Sequence, residues 1–274
     1  MFGLILMKIN TSNKELYVKM FNKKKIILNH IRASKRLNKK SNNFLLSLSH
    51  ILIERASLNK KNTYKILEVG ARTRNLLDQL KMQNINSILY QTIVSKNVLL
   101  DSKNNIVSEI ESSIFKENIF DICFCILSLN SSDRLPLAFK NIFSSLKESG
   151  KFLTVFPAEE CLKEFREYFL EYFKKKSNKS FMPYLEIQTL GNLGAQSGFK
   201  NIIVDKENFN LKVFAPSDIW NFIRGIGESN YLLDSEKHIN KHLFLNFCKD
   251  YATAIKNGDL KNNTFALNFF IGSK

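Results

Sequence analysis

The stretch 64–80, YKILEVGARTRNLLDQL, carries the clearest chemical pattern in this chain. An apolar run ends in an acid and a glycine, Glu68 and Gly70, and leucines then recur at the spacing of one buried helix face. This order predicts a strand, a tight turn and a helix. A glycine turn that opens a helix is typical of nucleotide-binding sites, because its backbone can approach a ligand closely.

Composition and charge bound the classes of function. The 274 residues are 44% hydrophobic and include 23 phenylalanines, which is enough for the core of one large α/β domain. A net charge of +16 raises the question of nucleic acid or an anionic membrane surface. Lysine, asparagine and isoleucine are abundant throughout, as expected of an AT-rich genome, and no nucleic-acid-binding motif accompanies the charge. The charge alone is therefore weak support for a nucleic-acid partner, and peripheral membrane contact stays open.

The first residues do not read as a targeting signal. MFGLILMKIN lacks a basic segment before its short apolar run, and no apolar stretch is long enough to span a bilayer. Met20 offers a second translation start. We expect residues 1–19 to be either a mis-annotated upstream extension or a disordered tail, and residues 20–274 to form one domain in the cytoplasm, with peripheral contact at the inner membrane as an alternative.

Metal and thiol chemistry find little support. Cys123 and Cys125 alternate within an apolar run and are expected to share one strand face as small hydrophobic residues. The four cysteines show neither a metal-ligand spacing nor a disulfide framework, which fits a reducing compartment. His238 and His242 are four residues apart, but no third ligand accompanies them. We expect no metal site.

Strand-like and helix-like segments alternate along the chain. Apolar runs predict strands at 64–69, 88–94, around Ile106, at 120–129 and 150–158, two short runs within 202–214 and a closing strand at 265–272. Helices are expected at 44–56 (covering a sheet edge), at 135–147 with Gly150 as its C-cap, at 162–176 and near Trp220, and the basic stretch 23–40 is expected to be a solvated or partner-facing helix. This alternation implies a mostly parallel, doubly wound sheet with strand 120–129 at its centre.

Several segments, in order, carry a family resemblance. They are MFNKKK near the start, KENIFDICFCILSLN, DRLPLAFKNIFSSLKESGKF, LGNLGAQSGFKNIIVD, NFIRGIGESN and the closing NFFIG. Together they resemble the methyltransferase-like complex I assembly factors of mitochondria and their bacterial relatives, which hydroxylate an arginine of a quinone-site subunit of complex I. The family belongs to the class I S-adenosylmethionine (SAM) methyltransferases and is related to the malonyl-carrier-protein methyltransferases of biotin synthesis. The resemblance implies a Rossmann-like, seven-stranded, mostly parallel sheet with the last strand antiparallel, SAM as cofactor, and a protein substrate.

The resemblance also implies positions for the cofactor. They lie after the first four strands, at Glu68, Gly70, Ala71, Gln91, Thr92, Glu109 (with Glu111 as the alternative), Leu127 and Asn130. The family pattern has glycine where this chain has Arg72 and Arg74, and an acid where it has Gln91 and Thr92. An arginine could pair with the methionyl carboxylate of SAM but would repel its sulfonium. Loss of charge-assisted bonds to the ribose would remove roughly 1.5–3 kcal/mol. The sequence therefore predicts weakened or absent SAM binding.

The segment 223–230, IRGIGESN, is the most specific part of the resemblance, since it lies outside the generic methyltransferase core. Gly225 and Gly227 are expected to end a helix. Glu228, Ser229 and Asn230 then either cap a new helix or face the substrate side of a cleft. No catalytic residue is identified. The sequence leaves three functions open: a protein-modifying or protein-chaperoning methyltransferase-like factor, a non-catalytic partner-binding module, and a nucleic-acid methyltransferase.

Overall fold

The computed structural model describes residues 18–35, 38–98, 104–174, 181–182, 184–211, 215–233, 240–260 and 263–274. Helices and strands alternate along the described chain. The helices are α1 (Lys23–Lys35), α2 (Lys39–Ala56), α3 (Asn75–Met82), α4 (Leu135–Ser145), α5 (Lys163–Tyr172), α6 (Ile187–Gln196), α7 (Pro216–Gly225) and α8 (Lys241–Asn257). The strands are β1 (Tyr64–Glu68), β2 (Ser87–Ile93), β3 (Asn105–Val107), β4 (Phe120–Ile126), β5 (Leu146–Pro157), β6 (Lys200–Leu211) and β7 (Asn263–Ser273).

The seven strands form one sheet in the order β3-β2-β1-β4-β5-β7-β6. The first five strands pair in parallel, and β7 inserts antiparallel between β5 and β6. This confirms the expected seven-stranded, mostly parallel sheet with an antiparallel last strand. The apolar strand β4 is the fourth of the seven strands and so lies at the centre of the sheet. Helices cover both of its faces, which is why its residues are apolar on both sides.

Two hydrophobic layers cover the two faces of the sheet. Along β4, Phe124 points into the layer that contains α2, α3, α5, α7 and α8, whereas Cys123 and Cys125 point into the layer that contains α4 and α6. The two cysteines therefore share one face, as their alternation predicts. Helix α2 lies across the sheet, with Leu48 and Leu52 in the same layer as Phe124. The expectation that this helix covers a sheet edge is wrong, since its apolar stripe needs the wide face of the sheet for burial.

The prediction that Gly150 caps a helix 135–147 is also wrong. Helix α4 ends at Ser145, and β5 begins at once because Leu146 pairs with Phe120 of β4. Gly150 lies within β5, next to a register shift between the two strands. A Cβ at Gly150 would lie 2.7 Å from the carbonyl oxygen of Lys147. The glycine is thus required by a strand irregularity rather than by a helix end.

Several boundaries differ from the sequence-based ones. Strand β4 stops at Ile126, and Leu127 turns the chain with a φ of 53°. The segment 202–214 is one long strand through residue 211, not two short runs, because it pairs with β7 along its length. Helices α6 and α8 have no counterpart among the predicted elements, and α5 is shorter than expected. Residues 1–17 and 175–180 and His238 lie outside the described residues, so the expectations placed on them have no outcome.

Within the described ranges, no helix combines the length and the apolar character needed to cross a membrane. Helix α1 forms where the basic stretch predicts a helix and buries one narrow face, including Ile26, His30 and Ala33. Lys23, Lys24 and Lys35 are exposed, whereas Lys25 is partly buried and donates to the carbonyl of Leu232 at 3.0 Å. Helix α1 thus lies at the surface and still contributes buried side chains to the site at the carboxyl edge of the sheet.

Candidate functional site

Strands β1 and β4 are neighbours in the sheet. After β1 the chain crosses over to β2 on one side of this pair, and after β4 it crosses over to β5 on the other side. In open α/β sheets, ligands bind in the crevice outside the carboxyl ends of the strands at such a point. In this chain the turn 69–74 after β1 and the turn 127–131 after β4 meet at that edge. We call the space between these two turns the switch-point crevice.

Gly70 anchors the turn after β1 between two neighbouring strands. Its N–H donates to Oγ1 of Thr92 at 2.8 Å, and the N–H of Ala71 donates to the carbonyl of Thr92 at 2.8 Å. On the other side, the Ser128 hydroxyl donates to the carbonyl of Gly70 at 2.7 Å. Gly70 has a φ of 69°, and a Cβ there would lie 2.6 Å from the Cβ of Ser128. Only glycine meets both conditions without strain.

Glu68 and Gln91 form a buried pair at the ends of β1 and β2. Gln91 donates from Nε2 to Oε2 of Glu68 at 2.7 Å, and both residues are almost fully shielded from solvent. Burial raises the pKa of Glu68 to about 7, while Gln91 and then Arg72 act in the opposite direction. Oε1 of Gln91 is buried with no hydrogen-bond partner among the described residues. The assignment of Glu68, Gln91 and Thr92 to a ribose or methionine group stays a prediction.

Arg72 fills the switch-point crevice with its own side chain, which is 3% exposed. Its guanidinium spans the gap from the turn after β1 to the end of β4 and on to the segment after α7. The acceptors are three backbone carbonyls, one hydroxyl and one carboxylate: Ile226 O (2.6 Å), Ile126 O (3.1 Å), Leu127 O (2.5 Å), Ser128 Oγ (2.8 Å) and Glu228 Oε1. A charge this deeply buried is tolerated because it is paired and hydrogen-bonded on both terminal nitrogens.

Glu228 is the counter-ion of Arg72 and is held from three sides. Its Oε2 accepts hydrogen bonds from Nδ2 of Asn130 at 2.6 Å and from the hydroxyl of Tyr231 at 3.2 Å. Burial raises the pKa of the Glu228 carboxyl, and the Arg72 guanidinium opposes that rise. The structure thereby brings together two regions that the sequence predicts separately, Asn130 after β4 and Glu228 after α7.

Helix α1 closes the crevice from outside. A Cβ added to Gly227 would lie 3.0 Å from Nη1 of Arg72 and 3.2 Å from the Cβ of Ala33, so the helix packs directly over the buried ion pair. One turn before Ala33, His30 is 2% exposed. Burial first, and then the charge of Arg72, lower the pKa of His30 well below its ordinary value. The imidazole beneath the helix is therefore neutral at physiological pH.

Ser229 and Asn230, expected on the substrate side, serve mainly to fix the segment after α7. Nδ2 of Asn29 donates to the carbonyl of Ser229 at 2.7 Å, and Oδ1 of Asn230 accepts from the N–H of Leu232 at 2.9 Å. These bonds tie the segment to α1 and shape a turn. The alternative that residues 228–230 cap a new helix finds no support in the described residues, because α8 begins at Lys241, after its cap at Asn240.

The two acids proposed for the third strand behave differently. Glu109 is half exposed and pairs with Lys23 of α1 at 2.7 Å. Glu111 is buried and binds the backbone N–H and the Nε of Arg134, each at 3.0 Å. Both carboxylates are thus committed to other parts of the chain. Either assignment to an adenine stays a prediction.

A cavity of about 20 Å³ lies between β1, β2 and the loop after β3, bordered by Val69, Thr92, Glu109 and Ile110. That volume holds about one water molecule. A guanidinium in the crevice would repel the sulfonium and the ammonium of SAM and would attract its carboxylate. The side chain of Arg72 occupies the crevice in this structure, and weakened or absent SAM binding stays a prediction.

Arg74, the second arginine in a glycine position, lies apart from this cluster. Its side chain is 36% exposed and approaches Asp78, one turn into α3, at 3.7 Å. The two arginines therefore differ in kind, although the sequence treats them alike. No group of three histidine, cysteine, aspartate or glutamate side chains in the described part of the chain is placed to hold a metal ion.

Comparison with known proteins places this architecture in a class. A SAM-dependent methyltransferase from Archaeoglobus fulgidus superposes with a TM-score of 0.51 at 13% identity, over 84% of this chain and 94% of that one. At this identity the likeness concerns the fold alone. The sheet order and the glycine turn at its switch point define a class I methyltransferase-like α/β protein.

The family follows from the sequence match. A model of the methyltransferase domain family matches residues 39–204, which is more than half of the chain. This chain belongs to the methyltransferase domain family.

Two curated relatives are similar to this chain over about three quarters of its length. One is arginine-hydroxylase NDUFAF5 from the mitochondria of Danio rerio, 26% identical over 219 residues, which cover 76% of this chain and 68% of that protein. The other is malonyl-[acyl-carrier protein] O-methyltransferase 2 of Coxiella burnetii, 26% identical over 209 residues, which cover 75% and 76%. The alignment covers only 63% of the mouse and human NDUFAF5 proteins. The expected relationship to both families is confirmed.

Sequence reasoning missed several residues of this site. Ser128 bridges the two turns, Tyr231 and Asn29 fix the segment after α7, and His30 lies beneath α1. The arginine at position 72 was noticed, but as an obstacle and not as the centre of a bonded cluster. A signal was present: a buried arginine needs a counter-ion, and the unusual segment 223–230 contains an acid between two turn-forming positions.

Proposed function

We propose that this chain is a protein-binding member of the methyltransferase family that acts in the assembly of respiratory complex I, holding a subunit rather than modifying it. The relationship to NDUFAF5 supports the choice of a protein partner and of complex I. The observation that favours holding over modification is the ion pair of Arg72 and Glu228, which fills the switch-point crevice. With SAM excluded there, the fold keeps its outer surfaces for a partner.

A polar groove on the described surface is our candidate for the docking site. It has a volume of about 730 Å³ between α1, α2 and α7. Its lining includes three cations and one acid, Arg32, Lys40, Arg224 and Asp218. The excess of positive charge fits an acidic surface of the partner, in keeping with the net charge of +16. The groove lies on the outer side of the same helices that cover Glu228.

The enzymatic alternative keeps SAM and modifies an arginine or another side chain of the partner. It is supported by the family match and by the relatives, which include an arginine hydroxylase and an O-methyltransferase. Its requirement is an open crevice above Gly70, where Arg72 now lies. A nucleic-acid methyltransferase has only the net charge in its favour, and no described feature adds to it.

The test uses the purified chain and recombinant quinone-site subunits of complex I from the same organism. We expect a stable complex by size-exclusion chromatography, and mass spectrometry of the subunit after incubation with SAM should find no added oxygen or methyl group. A modified arginine would replace our proposal with the enzymatic alternative. No complex with any of the subunits would refute partner binding itself.

Charge reversal locates the docking face. The double variant Arg32→Glu with Arg224→Glu should weaken the complex at least about tenfold, because like charges would then face an acidic partner. The matched control reverses the exposed Lys81 and Lys116, which lie away from the groove and change the net charge equally. Equal weakening by both variants would show that only the overall charge matters. The affinity of the native complex should also fall with added salt.

A further inference from the structure

Arg72 occupies a position where a soluble protein rarely places an arginine. Its backbone lies in the turn directly after a central strand, and its side chain runs inward to a 3% exposed position. Arginine is almost never buried unless its charge is paired. The buried guanidinium of Arg72 therefore needs hydrogen-bond acceptors within the switch-point crevice.

The acceptors are the groups that would otherwise face a ligand. At the end of β4, Ile126 and Leu127 offer their carbonyl oxygens to Nη2 of Arg72. From the opposite wall, Ile226 offers its carbonyl to Nη1. A planar guanidinium can bind several such acceptors at once, which an ammonium cannot do in one plane. The guanidinium of Arg72 thus takes up these hydrogen-bond acceptors of the crevice.

The carboxylate of Glu228 fixes this arrangement. It binds Nη1 of Arg72 on one oxygen and Asn130 and Tyr231 on the other. Gly227 brings the backbone of this segment against the guanidinium, since a Cβ there would lie 3.0 Å from Nη1. The segment after α7 is therefore built around the arginine. Removal of the arginine would leave a buried carboxylate facing an open crevice.

We propose that Arg72 is a built-in ligand of the switch-point crevice, which excludes an adenosyl cofactor from the native chain, and that glycine at this single position reopens the crevice. The inference concerns the cofactor site and is independent of which protein partner is bound. It assigns different roles to the two arginines of the turn. Arg72 blocks the crevice, whereas the partly exposed Arg74, which approaches Asp78, does not.

The experiment measures equilibrium binding of S-adenosylhomocysteine and SAM by titration calorimetry to the native chain, Arg72→Gly and Arg74→Gly. We expect millimolar or absent binding for the native chain and for Arg74→Gly, and binding at least about tenfold tighter for Arg72→Gly. Micromolar binding of SAM or S-adenosylhomocysteine by the native chain overturns the proposal, and this measurement needs no variant. Equal gains in the two variants would overturn the distinction between the arginines. None of these outcomes bears on the complex with a partner subunit.

A second measurement covers the case in which Arg72→Gly folds poorly. The variant Arg72→Ala is heated with millimolar methylguanidinium chloride and, separately, with the same concentration of sodium chloride. Methylguanidinium should raise the thermal midpoint of Arg72→Ala above its value in sodium chloride and leave Arg74→Ala unchanged. Absence of this rescue, or equal rescue of both variants, would mean that the crevice is not a guanidinium site.

Discussion

Gly70 and Ser128 touch across the carboxyl ends of β1 and β4. The Ser128 hydroxyl donates to the carbonyl of Gly70 at 2.7 Å, and a Cβ on the glycine would lie 2.6 Å from that of the serine. This contact sets the width of the switch-point crevice at its base. The two turns are therefore closed on each other before Arg72 and Glu228 are added above them.

Gly70→Ala should destabilise the protein by about 2–4 kcal/mol. The φ of 69° would cost an alanine roughly 1–2 kcal/mol, and the contact with Ser128 adds the cost of overpacking. Urea denaturation measures the change in the free energy of unfolding. The control is Gly258→Ala, where φ is 83° but no atom lies within 4 Å of the added Cβ. If both variants lose the same amount, the Gly70–Ser128 contact contributes nothing beyond the backbone.

Glu228→Gln should lower the free energy of unfolding by about 3 kcal/mol, because it leaves the charge of Arg72 buried without a counter-ion. The control, Glu109→Gln, removes an ion pair whose members, Lys23 and Glu109, are 50% and 57% exposed. That change should cost less than about 1 kcal/mol. Chemical denaturation of both variants in the same buffer provides the comparison. Similar losses would mean that Arg72 does not depend on Glu228.

The sheet could be predicted from the sequence, and the centre of the site could not. Strands buried on both faces are continuous apolar runs, so β4 was recognisable at once. By contrast, Arg72 and Glu228 are 156 positions apart, and the local sequence around either residue does not predict its contact with the other. Arg72 and Arg74 look equivalent in the sequence. Only the direction of each side chain, inward or outward, separates a buried cluster from a surface pair.

The elements that sequence reasoning missed share weak apolar patterns. Helix α8 fully buries only Phe247 and Tyr251, so its periodicity is faint among polar residues. Strand β6 lies at the sheet edge, and its asparagine-rich centre makes one strand look like two short alternating runs in the sequence. Gly150 was assigned to a helix end because glycine is common there. Its true reason, a close approach to the carbonyl of Lys147, depends on strand pairing that no local pattern contains.

The cysteines should differ in their reaction with a thiol reagent. Burial raises the pKa of Cys123 to about 12 and that of Cys125 to about 11, and it raises the pKa of Cys161 as well. Cys248 on α8 is only partly buried, although its pKa is raised too. We expect Ellman's reagent to label Cys248 first in the native protein and the other three only on unfolding. Rapid labelling that persists in Cys248→Ser would show that the sheet opens readily.

Glu68→Gln should change the dependence of stability on pH. The pKa of Glu68 is about 7 in the folded protein against an ordinary value of 4.5, so the folded state binds the proton more tightly than the unfolded state does. This acid therefore favours folding most at acidic pH, and its contribution is lost as pH rises from about 4.5 to about 7. The loss amounts to about 3 kcal/mol.

Glutamine keeps the acceptor oxygen for Gln91 and cannot ionise. At pH 5 the free energies of unfolding of Glu68→Gln and the native chain should therefore be similar. At pH 8 the variant should be the more stable of the two. Urea unfolding at both pH values gives the difference, and groups common to both proteins cancel in it. A stability difference that does not change between pH 5 and pH 8 would mean that Glu68 is not held protonated by its burial between β1 and β2.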